Sequence, residues 1–316
     1  MLSRILRKVY HKALQTHRPY HTNQCEFDTD RDDPEIVLYF IHGLGGAPGQ
    51  VNLLLPTIRF LIQRRFYLRA MHMPELDVRR PFYERYEPGT EVKIRDKIVE
   101  DLSRLAQQYP GIKIIVTASS HGMYDFVFAY PAIPESVREH LVLCWLACAS
   151  DEYDKLESRY HWLLRLLYYI TGYRQGGYRW SFGINHDRLT FLNPEVSASF
   201  EAFDRQGNPI VYFKREIEMR FDCLGLEWTD PTSVNFIKDY QDRQLAHFER
   251  ITDIKCYALG ALQDGYWYDS SPENMHRTVS RYVSHYDLSF VNTSHLWCVT
   301  PQMAEPFLQT VFEQET

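Results

Sequence analysis

The sequence predicts an α/β protein: a mostly parallel sheet with helices on both faces, interrupted once by a long insertion. Short apolar runs alternate with longer amphipathic stretches over residues 35–150 and again over 250–316, the pattern of strands joined by crossover helices. The run "IVLYFI", Ile36 to Ile41, is apolar at successive positions, which suits a strand covered on both faces. Between 151 and 249 the alternation lapses into an aromatic-rich stretch. The expected organisation is a basic arm over 1–26, a core built from 27–150 and 250–316, and an insertion over 151–249.

Each element has its own signal. Residues 1–21 carry Arg4, Arg7, Lys8, Lys12 and Arg18 with no acid before Glu26, and Leu2, Ile5, Leu6, Val9 and Leu14 recur at helical spacing. The arm is therefore a basic amphipathic helix. Packing on its own domain, peripheral contact with an anionic membrane through residues 1–20, and a mitochondrial presequence in a eukaryote all stay open for it. "EIVLYFIHG" is a strand closing in a glycine-rich turn, and Asn52 to Arg65 follows as a helix with Pro56 near its start. "FYLRAMHM" is the second strand, and Thr90 to Tyr109 is a helix stopped by Pro110-Gly111. "IKIIVTA" is the third strand, Met123 to Tyr130 a helix, and "HLVLCWLACAS" the fourth strand. Inside the insertion, "FEAFDRQGNPIVYF" has the pattern of a hairpin. Beyond it come strand "DIKCYALGA", a helix near 272–284, strand "YDLSFVN", and a last helix opened by Thr300-Pro301.

Composition narrows the function. The chain has 316 residues, 45% hydrophobic and 24% charged, enough for one large domain with an ample core. A net charge of −6 provides no field for general nucleic-acid binding. Apolar runs such as "LVLCWLACA" fall short of the roughly 18–20 residues that span a bilayer, and the scattered cysteines lead to the expectation of a cytoplasmic protein. The six cysteines show neither paired metal-ligand spacing nor a disulfide framework, and they read as reduced core thiols. "NHD" at 185–187 has no second ligand cluster beside it, so no metal is expected.

In a parallel sheet with helices on both faces, ligands bind at the carboxyl ends of the strands, so chemistry is sought there. After the first strand stands His42-Gly43-Leu44-Gly45-Gly46, where glycines let backbone N–H groups face a cavity. After the third strand stands Ala118-Ser119-Ser120-His121-Gly122. A strand turning sharply into a helix holds its apex residue at positive φ and needs small residues two before and two after. Ala118 and Gly122 meet that need around Ser120, whereas Thr117 and His121 fail it around Ser119. Ser120 is the apex. A serine at neutral pH needs a base, and the base an orienting carboxylate. Asp264 follows strand "DIKCYALGA" and His295 follows strand "YDLSFVN", in the chain order Ser, Asp, His.

These motifs resemble the α/β-hydrolase superfamily, of the serine esterase and lipase kind with a cap insertion, over roughly 35–150 and 250–316. The resemblance implies an α/β-hydrolase fold with 151–249 as the cap, "HGLGG" as the oxyanion turn, and "ASSHG" as the nucleophile elbow. It implies Ser120 as nucleophile, Asp264 as acid, His295 as base, and the backbone N–H groups of Leu44 and His121 as oxyanion donors. His42, Gly43, Gly45 and Gly46 support the turn, with the His42 ring bracing it. Asp269 and Asp151 stand as alternatives for the acid. The His121 side chain is expected to point away from the nucleophile's partner. Ala118 stands where glycine is commonest, Met123 where a second glycine or alanine often follows Gly122, and Ser119 where a histidine is usual.

The function expected is cleavage of carboxylic esters or thioesters with a hydrophobic acyl or aromatic part, through an acyl-enzyme and with no cofactor. An aromatic cap roofing the strand ends favours such small-molecule substrates. Two other readings stand beside it: a noncatalytic binding protein on a hydrolase scaffold, and an acyltransferase or C–C hydrolase using the same triad. Dehalogenase and epoxide-hydrolase chemistry is disfavoured by Ser120, since those relatives carry aspartate there.

Overall fold

The computed structural model describes residues 24–27, 30–43, 48–62, 64–76, 85–148, 239–262, 271–292 and 301–315. Six strands form one parallel sheet: β1 (Ile36–Ile41), β2 (Phe66–Ala70), β3 (Ile114–Ser119), β4 (Leu141–Leu146), β5 (Cys256–Ala261) and β6 (Tyr286–Val291), in the order β2-β1-β3-β4-β5-β6. All five pairings are parallel. Every residue of β1, β4 and β5 is buried, as unbroken apolar runs in a covered sheet require. At the edge, β6 alternates between partly buried and exposed positions in most of its length. The apolar side chains then face α-helices, and the polar ones face water.

The helices are α1 (Leu55–Leu61), α2 (Thr90–Gln108), α3 (Gly122–Ala129), α4 (Glu135–Arg138), α5 (239–245), α6 (Pro272–Tyr282) and α7 (Pro301–Glu315). One expected helix is shorter than its pattern. Instead of a continuous helix over 52–65, a 3-10 turn over Pro48–Leu53 precedes α1. Pro56 has no N–H to donate, so an α-helix tolerates it only in its first turn and the helix begins around it. Helix α6 starts as its sequence dictates: Ser271 accepts a hydrogen bond from the Asn274 N–H at 3.3 Å, and Pro272 occupies the first turn.

A buried carboxylate locks α2 onto the sheet. Asp101, fully buried on α2, accepts from the Tyr39 hydroxyl of β1 at 3.0 Å and from Lys97 at 3.1 Å. It also pairs with Arg104 and with Arg69 of β2. A buried charge persists only with such partners. Elsewhere, Glu315 of α7 meets Lys113, just before β3, at 2.7 Å and the Tyr257 hydroxyl of β5 at 2.6 Å.

Cys144, Cys148 and Cys256 are buried cysteines, and Cys25 is a partly buried one. Burial pushes the Cys256 thiol up to about 12, so it packs as a small apolar group. Among the described residues no helix is long and apolar enough to cross a membrane. The basic arm of 1–21 and the hairpin expected within 151–249 lie outside the described residues.

Candidate active site

Strand β3 ends at Ser119 and α3 begins at Gly122, leaving Ser120 and His121 to turn the chain. Ser120 adopts φ +51°, one of two non-glycine residues with positive φ among those described. An L-residue in that region costs about 1–2 kcal/mol and persists only where its surroundings over-determine it. They do so here. The Ser120 N–H donates to the Leu146 carbonyl at 2.7 Å, and the Ser120 carbonyl accepts from the Trp145 indole N–H at 3.0 Å and the Met123 N–H at 3.3 Å. Trp145 is fully buried in β4, so the core itself holds the elbow. Ala147, just after β4, is the other positive-φ residue, and the chain also turns sharply beside the elbow.

The small flanks have a physical cause. A Cβ on Gly122 would lie 2.7 Å from the Ile41 carbonyl oxygen and 2.8 Å from that of His42. One on Gly43 would lie 3.0 Å from the Ser119 carbonyl oxygen and 3.3 Å from the Ser120 Cβ. Glycine at both positions therefore lets the segment leaving β1 press directly against the elbow. His42 is buried, with Nδ1 3.1 Å from the Gly43 carbonyl oxygen, and the Gly43 N–H donates to Gln50 Oε1 at 3.3 Å. The ring thus contacts the first residue of the turn it was expected to brace.

The remaining expected site residues, Leu44, Gly45, Gly46, Asp264 and His295, with Asp269 and Asp151, lie outside the described residues, as does the "NHD" stretch. The strands that lead toward two of them are described. Ser119 pairs with Leu146, Leu146 with Leu259, and Leu259 with Ser289. The carboxyl ends of β5 and β6 therefore leave the same sheet edge as Ser120.

His121 makes a contact that the pattern did not reveal. Its ring is buried, stacks near Tyr124 and Tyr240, and places Nε2 2.9 Å from Gln244 Oε1 on α5. The Gln244 amide nitrogen in turn donates to Asp125 Oδ1, which also accepts from the Tyr240 hydroxyl at 2.5 Å. Helix α3 is buried along most of its length, and Asp125 is its sole ionisable carboxylate. Burial lowers His121 to about 4 against the opposing hydrogen bond from Gln244, so the ring is neutral at physiological pH. Burial raises the Asp125 carboxyl to about 7, opposed by the hydrogen bonds from Tyr240 and Gln244. His121, the N-cap of α3, and Asp125 within it stand four residues apart, as do Tyr240 and Gln244 on α5; that spacing was the available signal. Only the tertiary structure faces the two pairs toward each other. Among the described residues no cluster of His, Cys, Asp or Glu has the makings of a metal site.

A parallel sheet in this order, with a strained serine between the third strand and the next helix, defines the α/β-hydrolase fold. No protein-family model and no curated protein sequence matches the chain. Among solved structures it is similar to the RedJ thioesterase of the prodiginine pathway in Streptomyces coelicolor, at 16% identity, 96% of each chain covered and a TM-score of 0.48. It is also similar to a hydrolase from Oleispira antarctica, at 12% identity, 90% of this chain and 93% of that chain covered and a TM-score of 0.48. An epoxide hydrolase from Bacillus megaterium matches at 12% identity over 91% of this chain and 95% of that chain, with a TM-score of 0.47.

Proposed function

We propose that the protein is a serine hydrolase that cleaves carboxylic esters or thioesters with a hydrophobic acyl or aromatic part. The observation that carries this is Ser120 itself, held at φ +51° at the carboxyl edge of β3 by three backbone-directed hydrogen bonds. A folded protein tolerates such a conformation where it presents a side chain for use. In this mechanism Ser120 attacks the carbonyl and His295 accepts its proton, while Asp264 holds the imidazole in the required tautomer. The N–H groups of Leu44 and His121 bind the oxyanion, an interaction whose loss costs roughly 3–4 kcal/mol. His295 then protonates the leaving group, and water cleaves the acyl-enzyme by the same steps. No cofactor enters.

A fluorophosphonate probe with peptide mapping tests the proposal directly. The expected result is an adduct on Ser120 alone, absent from Ser120→Ala, followed by turnover in a panel of esters and thioesters of graded acyl length. A folded protein that takes no label would instead point to a noncatalytic binding protein on this scaffold.

A further inference from the structure

The buried chain His121–Gln244–Asp125–Tyr240 runs directly beneath the elbow and serves none of the steps just described. We propose that Gln244 and Asp125 are positioning residues: through Gln244 they fix the His121 ring as its Nε2–H tautomer and so anchor the turn that carries the His121 backbone N–H. This deepens the hydrolase reading and rests on it.

The geometry is directional. Gln244 offers one acceptor and one donor. Its Oε1 faces His121 Nε2 at 2.9 Å and its Nε2 faces Asp125 Oδ1. The carboxylate accepts from the amide, the amide carbonyl is thereby left to accept, and the imidazole proton belongs on Nε2. Among the described residues the buried His121 Nδ1 has no hydrogen-bond partner, and the ring is tethered at Nε2. A side chain tethered by a single hydrogen bond depends on that bond for its orientation. The same residue supplies the elbow's backbone: the Tyr124 N–H donates to the His121 carbonyl at 2.9 Å.

The carboxylate end of the chain is responsive to protons, because burial places Asp125 near neutrality. The groups around it are His121 at the N-cap of its own helix and Tyr240 on α5; beyond Tyr240 stand Tyr86, Glu91 of α2 and the Arg243 that pairs with Glu91 at 3.1 Å. Arg85, also buried, lies against Tyr86. When Asp125 takes up a proton, its new O–H becomes a donor to Gln244 Oε1. The amide turns to bring Oε1 to that O–H, its NH2 then donates to His121 Nε2, and the ring gives up its Nε2 proton to solvent and takes one from solvent at Nδ1. The net change is one proton gained from solvent by Asp125, with His121 neutral before and after.

The test reads tautomer and reactivity separately, on the full-length protein with 15N-labelled histidine. Long-range proton–nitrogen correlation is expected to show His121 as the Nε2–H form at pH 8.5, shifting toward Nδ1–H as the pH falls through about 7. In Gln244→Met the preference is expected to vanish and fluorophosphonate labelling of Ser120 to slow roughly tenfold or more. Gln244→Glu, which keeps an acceptor for His121 and shares a proton with Asp125, is expected to restore both. Asp125→Asn supplies the same test should the methionine variant not fold: its tautomer is expected to be independent of pH. Wild-type labelling rates in Gln244→Met, or a His121 that is Nδ1–H at pH 8.5, would overturn the proposal. Failure of wild-type Ser120 to label at all would count against the hydrolase reading instead, and the tautomer would still decide the chain.

Discussion

Replacing Gly122 by alanine tests how closely the elbow and the segment leaving β1 depend on each other. The added Cβ would stand 2.7 and 2.8 Å from two carbonyl oxygens, those of Ile41 and His42. Ordinary carbon–oxygen contacts begin at about 3.3 Å, so a separation of roughly half an ångström is demanded. Both oxygens belong to backbone, at the end of a fully buried strand, and neither can rotate away as a side chain would. Overpacking of this kind costs about 1–3 kcal/mol, and the rigidity of the obstacle places Gly122→Ala at the upper end. The movement also carries Gly43 away from Ser120, which a Gly43 Cβ would approach to 3.3 Å. Misplacing catalytic groups by such distances reduces rates roughly 10- to 100-fold. Urea unfolding and the kinetics of fluorophosphonate labelling measure the two effects side by side. Wild-type stability would refute the packing argument. Lost stability with undiminished labelling would show that the turn after β1 does not act on Ser120.

Other variants probe other links. Ser120→Gly relieves a positive-φ side chain that Ser120→Ala retains, so the glycine variant is expected to be more stable than the alanine variant by about 1 kcal/mol in thermal unfolding, with both unlabelled. Equal melting temperatures would deny the strain. Asp101→Ala leaves the buried Tyr39 hydroxyl without its acceptor and Arg69 with Glu26 as its carboxylate, and a loss of about 1–3 kcal/mol is expected; unchanged stability would exclude the lock described for α2. Asp125 gives a pH test with a definite sign. Its folded carboxyl is raised, chiefly by burial, from 3.8 to about 7. The folded state therefore keeps a proton that the unfolded chain releases, and this contribution, complete below pH 4, is lost as pH rises toward and through 7. Asp125→Asn has no such slope, so its stability relative to wild type is expected to improve by roughly 4 kcal/mol between pH 4 and pH 8. Parallel pH profiles would show that Asp125 is ionised throughout.

Asp264→Asn tests the acid on the proposed triad. Turnover of the best ester is expected to fall by several orders of magnitude while Ser120→Ala abolishes it, because an amide selects the wrong imidazole tautomer. An unchanged rate in Asp264→Asn would direct the same substitution to Asp269 and Asp151.

Much of the fold is written in one dimension. A strand covered on both faces must be apolar at every position, and β1, β4 and β5 announce themselves that way in "IVLYFI", "LVLCWL" and "CYALGA", as β3 does over "IIV" before Thr117. The elbow was equally legible, because steric demands within five consecutive residues single out Ser120 over Ser119 without reference to anything distant. Helix limits were less so: Pro56 truncates α1 through a missing donor, while the pattern of apolar residues continues past it.

What tertiary structure alone decided is which distant groups meet. That Trp145 supports the Ser120 carbonyl follows from β3 and β4 lying side by side in register, and no local pattern in either strand states that neighbourhood. Residues 239–245 read as the end of the insertion, yet Tyr240 and Gln244 are buried against α3 and complete a polar chain with His121 and Asp125. Local sterics set the shape of a turn, whereas the partner of a buried polar group is set by whatever the packed chain brings within hydrogen-bond reach.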